Sequence, residues 1–179
     1  MSIDGFIAGL NGELDWAGIE WSDDIKQYVD GITNPVDTIL LGKNLATGFI
    51  PYWASVAADS SNPERQAGVF FTQTPKVVFS KTLTTSAWEN TEIENLDFVK
   101  KINTLKKQPG KDMIAYGGSK FVSSLIRENL VDEFHLFINP VILGKGMPIF
   151  QEIGSTRNVS LVSTRQFECG ITVLLYKPI

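Results

Sequence analysis

Three short stretches of this chain place chemistry-bearing residues in one arrangement. Gly42-Lys43, Ser80-Lys81 and Gly117-Gly118-Ser119 each follow directly on a short apolar run. Glycine lets a ligand approach the backbone closely, and the free N–H groups of a helix start attract an anion. The hydroxyls of Ser80 and Ser119 and the ammonium groups of Lys43 and Lys81 add donors, of which the charged ones bond most strongly. If the apolar runs are parallel strands, the three stretches meet at one sheet edge, outside the strands' carboxyl ends, where open α/β sheets bind ligands. Such a set suits a diphosphate better than a neutral ligand. The competing reading is three unrelated turns, since a Gly-Gly pair before a helix is ordinarily a plain strand-to-helix connection.

Other candidate groups are few. Asp23 and Asp24 open a helix predicted over 22–29, with Ser22 as its cap and Ile25, Tyr28 and Val29 on one face. These acids either complement the helix dipole or supply a proton, and the sequence does not choose between them. His135 lies in the apolar run 131–138 with no nucleophile motif nearby, and it is read as a strand-face residue without chemistry. With one Cys and one His, no Cys/His zinc site can form, and no metal is assigned. The 16 Lys and Arg against 20 Asp and Glu contain no basic run, which argues against nucleic acid or an anionic membrane surface. No run of about 18 apolar residues is present, and the lone Cys169 cannot form an internal disulfide, so a reducing cytoplasm is the expected setting.

The elements that must position these groups alternate through the first two thirds of the chain. Strands are predicted over 36–41, 76–79, 88–93 and 113–116, and helices from 43, over 63–71 with Pro63 in its first position, over 97–107 and from Ser119 to Asn129. Ser119 is read as the cap of that last helix. Residues 48–62 have no clear period and form the longest undefined connection. The loop from Gly9 to Trp21, with two tryptophans and three glycines, is rich in groups that could face a ligand. The tail is β-rich, with strands expected over 131–138, 141–143, 159–167 and 171–176. The expected fold class is α/β: one domain over 1–179, with a mixed, mainly parallel sheet, helices on both faces and an antiparallel C-terminal part.

Five of these segments, in order, carry a family resemblance: Ser2-Ile3-Asp4-Gly5-Phe6-Ile7-Ala8, Ile39-Leu40-Leu41-Gly42-Lys43, Val77-Val78-Phe79-Ser80-Lys81, Tyr116-Gly117-Gly118-Ser119, and Leu130 to Phe134 through Pro140 to Gly146. The chain resembles the dihydrofolate-reductase-like family nearly end to end. It is most similar to the C-terminal reductase domain of the bifunctional riboflavin-biosynthesis deaminase-reductase and its stand-alone relatives. The resemblance implies an eight-stranded mixed sheet, an NADPH site, hydride transfer to a C=N or C=O bond of a small substrate, and often a homodimer.

Carried over by position, Ile7 and Ala8 would present backbone groups to the nicotinamide amide. Gly42, Lys43 and Leu45 would mark the helix start beneath the phosphates, Ser80 and Lys81 would lie by the adenosine 2′-phosphate, and Gly117, Gly118, Ser119 and Lys120 would hold the pyrophosphate. Trp16 resembles the tryptophan of a mobile loop over the active site, and Asp24, with Asp23 as the alternative, falls near the helix acid of the folate enzymes. Two positions depart: Leu45 replaces a phosphate-touching hydroxyl, and Asp15 replaces the proline before the tryptophan. The family's first central strand precedes Ser2, so if nothing precedes Met1 that strand is shortened or its place left open. A binding protein of the same fold without turnover is the alternative function.

Overall fold

The computed structural model describes residues 1–151 and 153–179. They form two compact units, Thr33–Phe121 and Met1–Ile32 with Val122–Ile179. In chain order the first elements are β1 (Phe6–Ala8), a 3-10 turn (Asp15–Ala17), α1 (Asp23–Thr33), β2 (Val36–Gly42), α2 (Lys43–Ala58) and α3 (Arg65–Gln73). There follow β3 (Lys76–Phe79), β4 (Thr91–Glu94), α4 (Phe98–Lys106), β5 (Asp112–Ala115) and α5 (Ser119–Arg127). The last are β6 (Phe134–Ile138), β7 (Met147–Pro148), β8 (Val159–Gln166) and β9 (Thr172–Pro178).

The 33–121 unit is built on a parallel ladder in the order β4-β3-β2-β5. All four residues of β3 and most of β2 are buried, as expected of parallel strands covered on both faces, whose sequences read as unbroken apolar runs. Ile39, Leu41, Ala46 and Val78 form its core, with Leu45, Phe49, Phe70 and Phe71 packed against them. Helix α4 starts where Asp97 accepts a hydrogen bond from Lys100 N at 2.9 Å, the expected capping geometry. Lys76 is buried, yet its ammonium donates to the carbonyls of Phe71, Thr72 and Thr74 at 2.7 to 3.0 Å, closing the C-terminus of α3. Burial pushes its pKa below the usual lysine value.

The other unit carries the antiparallel ladder β6-β9-β8 and the short pair β1-β7. Helix α1 lies on one face of this ladder: Ile25 packs with Phe167, Ile171 and Val173, and Tyr28 and Phe137 join them. His135 is on the same face, where its Nδ1 is 2.9 Å from the Tyr28 hydroxyl and its Nε2 is 3.3 Å from Glu133. That is the strand-face position expected of it.

The α/β class holds, parallel first and antiparallel at the end, with the ladders hydrogen-bonded as three groups. Several boundaries change. Residues 48–58 continue α2 through Pro51, because Phe49 and Ile50 both pack on the core and aromatic residues on the remaining faces erase the period. Pro63 precedes α3, which begins at Arg65 after Asn62 Oδ1 accepts from Glu64 N at 2.9 Å. Residues 141–143 are not a strand: Val141 N turns back to Asn139 O, and Gly144 takes a positive φ of 72°. Ser119 is the first residue of α5 rather than the one before it.

Candidate functional site

Register fixes the edge that carries the three candidate stretches. Gly42 pairs with Phe79, and Leu40 pairs with Ala115, so Gly42 and Gly117, each two residues further on, come level. Ser80, Lys43 and the Gly117-Gly118 turn therefore leave one end of the parallel ladder together. The N-cap of α2 is Gly42, which has no side chain to accept from the first-turn N–H groups, and these stay open to a ligand. Gly117 and Gly118 have φ of 128° and 83°, conformations that side chains disfavour, and a Cβ on Gly117 would meet nothing within 4 Å.

The glycine at 42 is required by packing. A Cβ there would lie 2.8 Å from Cβ of Phe121, whose ring stacks on Phe79 at 4.9 Å. This contact seats the start of α5, and with it the Gly117-Gly118 turn, against the ends of β2 and β3. Leu45 fits the same floor, since a Cβ on Gly118 would lie 3.7 Å from Leu45 Cβ. The residue that departs from the folate-enzyme pattern thus packs beneath the turn.

Thr82 was not legible as a site residue. Lys43 Nζ donates to Thr82 Oγ1 at 2.6 Å, tying the end of β2 to the segment after β3. Ser80 Oγ accepts from Thr82 N at 3.1 Å and from Leu83 N at 2.9 Å, so this hydroxyl shapes the turn that presents exposed Lys81. The third residue of Ser80-Lys81-Thr82 was the available signal. Ser119 is buried at the head of α5 and Lys120 is exposed. Tyr116, just before the glycines, lies among Phe49 and Phe71 with its hydroxyl buried and without a partner among the described residues, and burial raises its pKa well above the usual phenol value.

Ile7, Ala8, Trp16, Asp23 and Asp24 belong to the other unit. Ile7 and Ala8 lie in β1, where Ala8 is buried and paired with Met147. Trp16 donates its indole N–H to Glu13 O at 3.2 Å, and Glu13 binds Asn11 through both carboxylate oxygens at 2.7 and 2.9 Å, so the loop is held by its own groups. Asp23 is exposed and pairs with Lys26 at 3.2 Å. Asp24 accepts from the Ser22 hydroxyl, from Ile25 N at 2.8 Å and from Glu168 N at 3.1 Å, and Ser22 Oγ accepts in turn from Cys169 N at 3.2 Å. The Ser22 hydrogen bond, helped by the two backbone donors, holds the Asp24 carboxyl below the usual aspartate value.

Comparison with known proteins matches the RibD C-terminal domain family over residues 1–173. The chain belongs to this family. Uncharacterized protein YyaP of Bacillus subtilis (strain 168) is 32% identical over 182 residues, covering 98% of this chain and 90% of that protein. A candidate riboflavin biosynthesis protein of Shewanella sp. PV-4 superposes with a TM-score of 0.76 at 21% identity, covering 100% of this chain and 95% of that one. Dihydrofolate reductase from Enterococcus faecalis, solved with NADP(H), gives a TM-score of 0.59 at 16% identity, covering 99% and 92%. The fold is therefore dihydrofolate-reductase-like, within a reductase-type family. Among the described residues no group of three or more His, Cys, Asp or Glu side chains could hold a metal, and no helix is long and apolar enough to cross a membrane.

Proposed function

We propose that this RibD C-terminal domain protein is an NADPH-dependent reductase acting on a C=N or C=O bond of a small substrate. The observation that carries this reading is the level placement of Gly42, Ser80 and Gly117 at one ladder end, with Lys43 and Lys81 beside them. The open space over Gly117 and the uncapped first turn of α2 fit a diphosphate, and the similar Enterococcus enzyme was solved with NADP(H). The cofactor, when bound, supplies the hydride. Gly117 to Lys120 and the α2 start hold its pyrophosphate, while Ser80, Lys81 and Lys43 take the 2′-phosphate end.

Asp24 is an anchor in this reading. Its carboxylate is engaged on both oxygens and its pKa is lowered, which leaves little of the protonated acid near neutral pH, so we assign proton delivery to water. The same engagement favours a second reading, a nucleotide-binding protein without turnover. NADPH fluorescence titration of wild type against the Lys43→Ala/Lys81→Ala double variant tests the cofactor assignment. Binding should weaken about tenfold or more, and further with added salt. Equal or absent binding in both proteins refutes it. Loss of NADPH absorbance with any member of a panel of pterins, ribosylaminopyrimidines and small carbonyls separates reductase from binding protein.

The partner we assign is a second copy. β8 is one of the two edge strands of its ladder, all eight of its residues are exposed, and its one charge, Arg165, lies over the Tyr28 ring. An antiparallel pairing about the middle of β8 sets Arg165 against a neutral residue and covers Leu161 and Val162.

A further inference from the structure

The last third of the chain holds a cavity that the reductase reading leaves unused. Strand residues alternate between faces, so Phe134 and Leu136 of β6 point away from His135 and Phe137, which meet α1. Tyr176 of β9 is the register partner of Phe134 and lies on that same second face. With Ile126 of α5 and Phe150, whose ring is 6.4 Å from that of Phe134, these residues line a cavity of about 600 Å³. That size is within the ~300 to 1,000 Å³ of small-molecule sites, and the walls are mostly apolar, as such sites are. One guanidinium stands among them. Arg157 Nη2 donates to Arg127 O at 2.7 Å and Nη1 donates to Asn129 Oδ1, which ties the side chain to the C-terminal end of α5. Among the described residues its Nε is buried with no acceptor, and no carboxylate pairs with the guanidinium.

We propose that this cavity binds a small apolar monocarboxylate, with its acid on Arg157 and its body against the rings of Phe134, Phe150 and Tyr176. Two of the five guanidinium N–H groups are engaged at the end of α5. The three that remain include the Nε–H of the fork that takes a carboxylate through two parallel hydrogen bonds. Capping α5 accounts for the first two donors and leaves the third edge, and the cavity, without a use. An uncharged apolar occupant would cover this guanidinium without a counter-ion, and burying a charge unpaired is costly. A carboxylate supplies the counter-ion, and an apolar body fills the ring-lined wall. The proposal does not rest on the NADPH reading, because every lining residue belongs to the unit of Met1–Ile32 with Val122–Ile179.

The probe is 4-phenylbutyrate, set against 4-phenylbutan-1-ol and 4-phenylbutylamine, which keep the body and replace the acid by a neutral or a cationic group. Each is titrated by calorimetry into wild type, Arg157→Met and Phe150→Ala, and backbone amide shifts locate the site. Wild type should bind the acid about tenfold more tightly than the alcohol, and the amine more weakly than either, with shifts gathered in 126–136, 153–159 and 174–179. Arg157→Met should lose the preference for the acid while keeping its affinity for the alcohol, a change that loss of a helix cap alone would not produce. Phe150→Ala, at a half-exposed position, should weaken acid and alcohol alike. Equal binding of acid and alcohol by wild type, a preference that survives Arg157→Met, or shifts gathered elsewhere overturns the proposal. So does the absence of binding, the outcome if a second copy covers the cavity. Should Arg157→Met fail to fold, the ranking of the three probes on wild type and the Phe150→Ala titration still decide.

Discussion

Replacing Gly42 by alanine is the sharpest test of how the ladder end that carries Gly42, Ser80 and Gly117 is held. The backbone there, φ −76° and ψ 147°, is open to any residue, so the substitution is opposed by packing rather than by strain. The new Cβ would stand 2.8 Å from Phe121 Cβ, about 0.6 Å inside the 3.4 Å at which ordinary contact begins, and Phe121 cannot yield freely while stacked on Phe79. Overpacking of this kind costs about 1 to 3 kcal/mol, and the reduced freedom of the unfolded chain returns about 0.4 to 1. The net loss of up to about 2.6 kcal/mol lowers the melting temperature by up to about 10 °C in a chain of this size. Because the displaced element is the start of α5, NADPH affinity should fall about tenfold with it. Gly48→Ala is the control: it lies inside α2 with nothing within 4 Å of the added Cβ, and it should stabilise by up to about 1 kcal/mol while leaving binding alone. Thermal melts and NADPH titration of both variants decide the matter. A Gly42→Ala protein that melts and binds like wild type would show that Phe121 does not seat the turn.

Three further outcomes are expected. Asp24→Asn should destabilise the protein at pH 7 in urea titrations, and the deficit should shrink as pH falls below the unfolded aspartate value: a lowered carboxyl pKa gives stability present above the unfolded aspartate value and lost as pH falls through the folded one. Lys76→Met keeps the apolar stem but leaves the carbonyls of Phe71, Thr72 and Thr74 without that donor, at about 1 to 3 kcal/mol, read as a lower melting temperature; because the Lys76 pKa is lowered, the margin over the variant should grow as pH rises toward the unfolded lysine value. Leu161→Glu on the β8 edge should convert a dimer to a monomer in sedimentation without unfolding it, and a wild type that sediments as a monomer refutes the assigned pairing.

What the sequence made legible was the part whose signal is local. β2, β3 and β5 announce themselves because each carries a short apolar run, 39–41, 77–79 and 113–115, followed within two residues by glycine or serine, and the loop–helix starts after them follow. α2 was cut short because Phe49, Ile50, Tyr52 and Trp53 leave no polar face to mark a period, and Pro51 reads as a stop. The run Val141-Ile142-Leu143 looked like a strand, although its backbone is spent on Ile3 and Asp4 at the other end of the chain. Asp24 could be seen as an acid beside a buried face, but its partner Glu168 N is 144 residues away, and Thr82 gains meaning only once Lys43 reaches it. Distances in sequence of this size have no compositional trace.

The division of the chain into a continuous piece, Thr33–Phe121, and a split one has a consequence for synthesis. The parallel ladder is complete once residue 115 has emerged, whereas Ile25 must wait 142 residues for Phe167. At roughly 5 to 20 residues per second, α1 spends about 7 to 30 s with Ile25 and Tyr28 uncovered. The apolar face of a helix made early is therefore the segment a chaperone meets on the ribosome, and substitutions that weaken β9 should show themselves first as lower yield rather than as a lower melting temperature of the protein that survives.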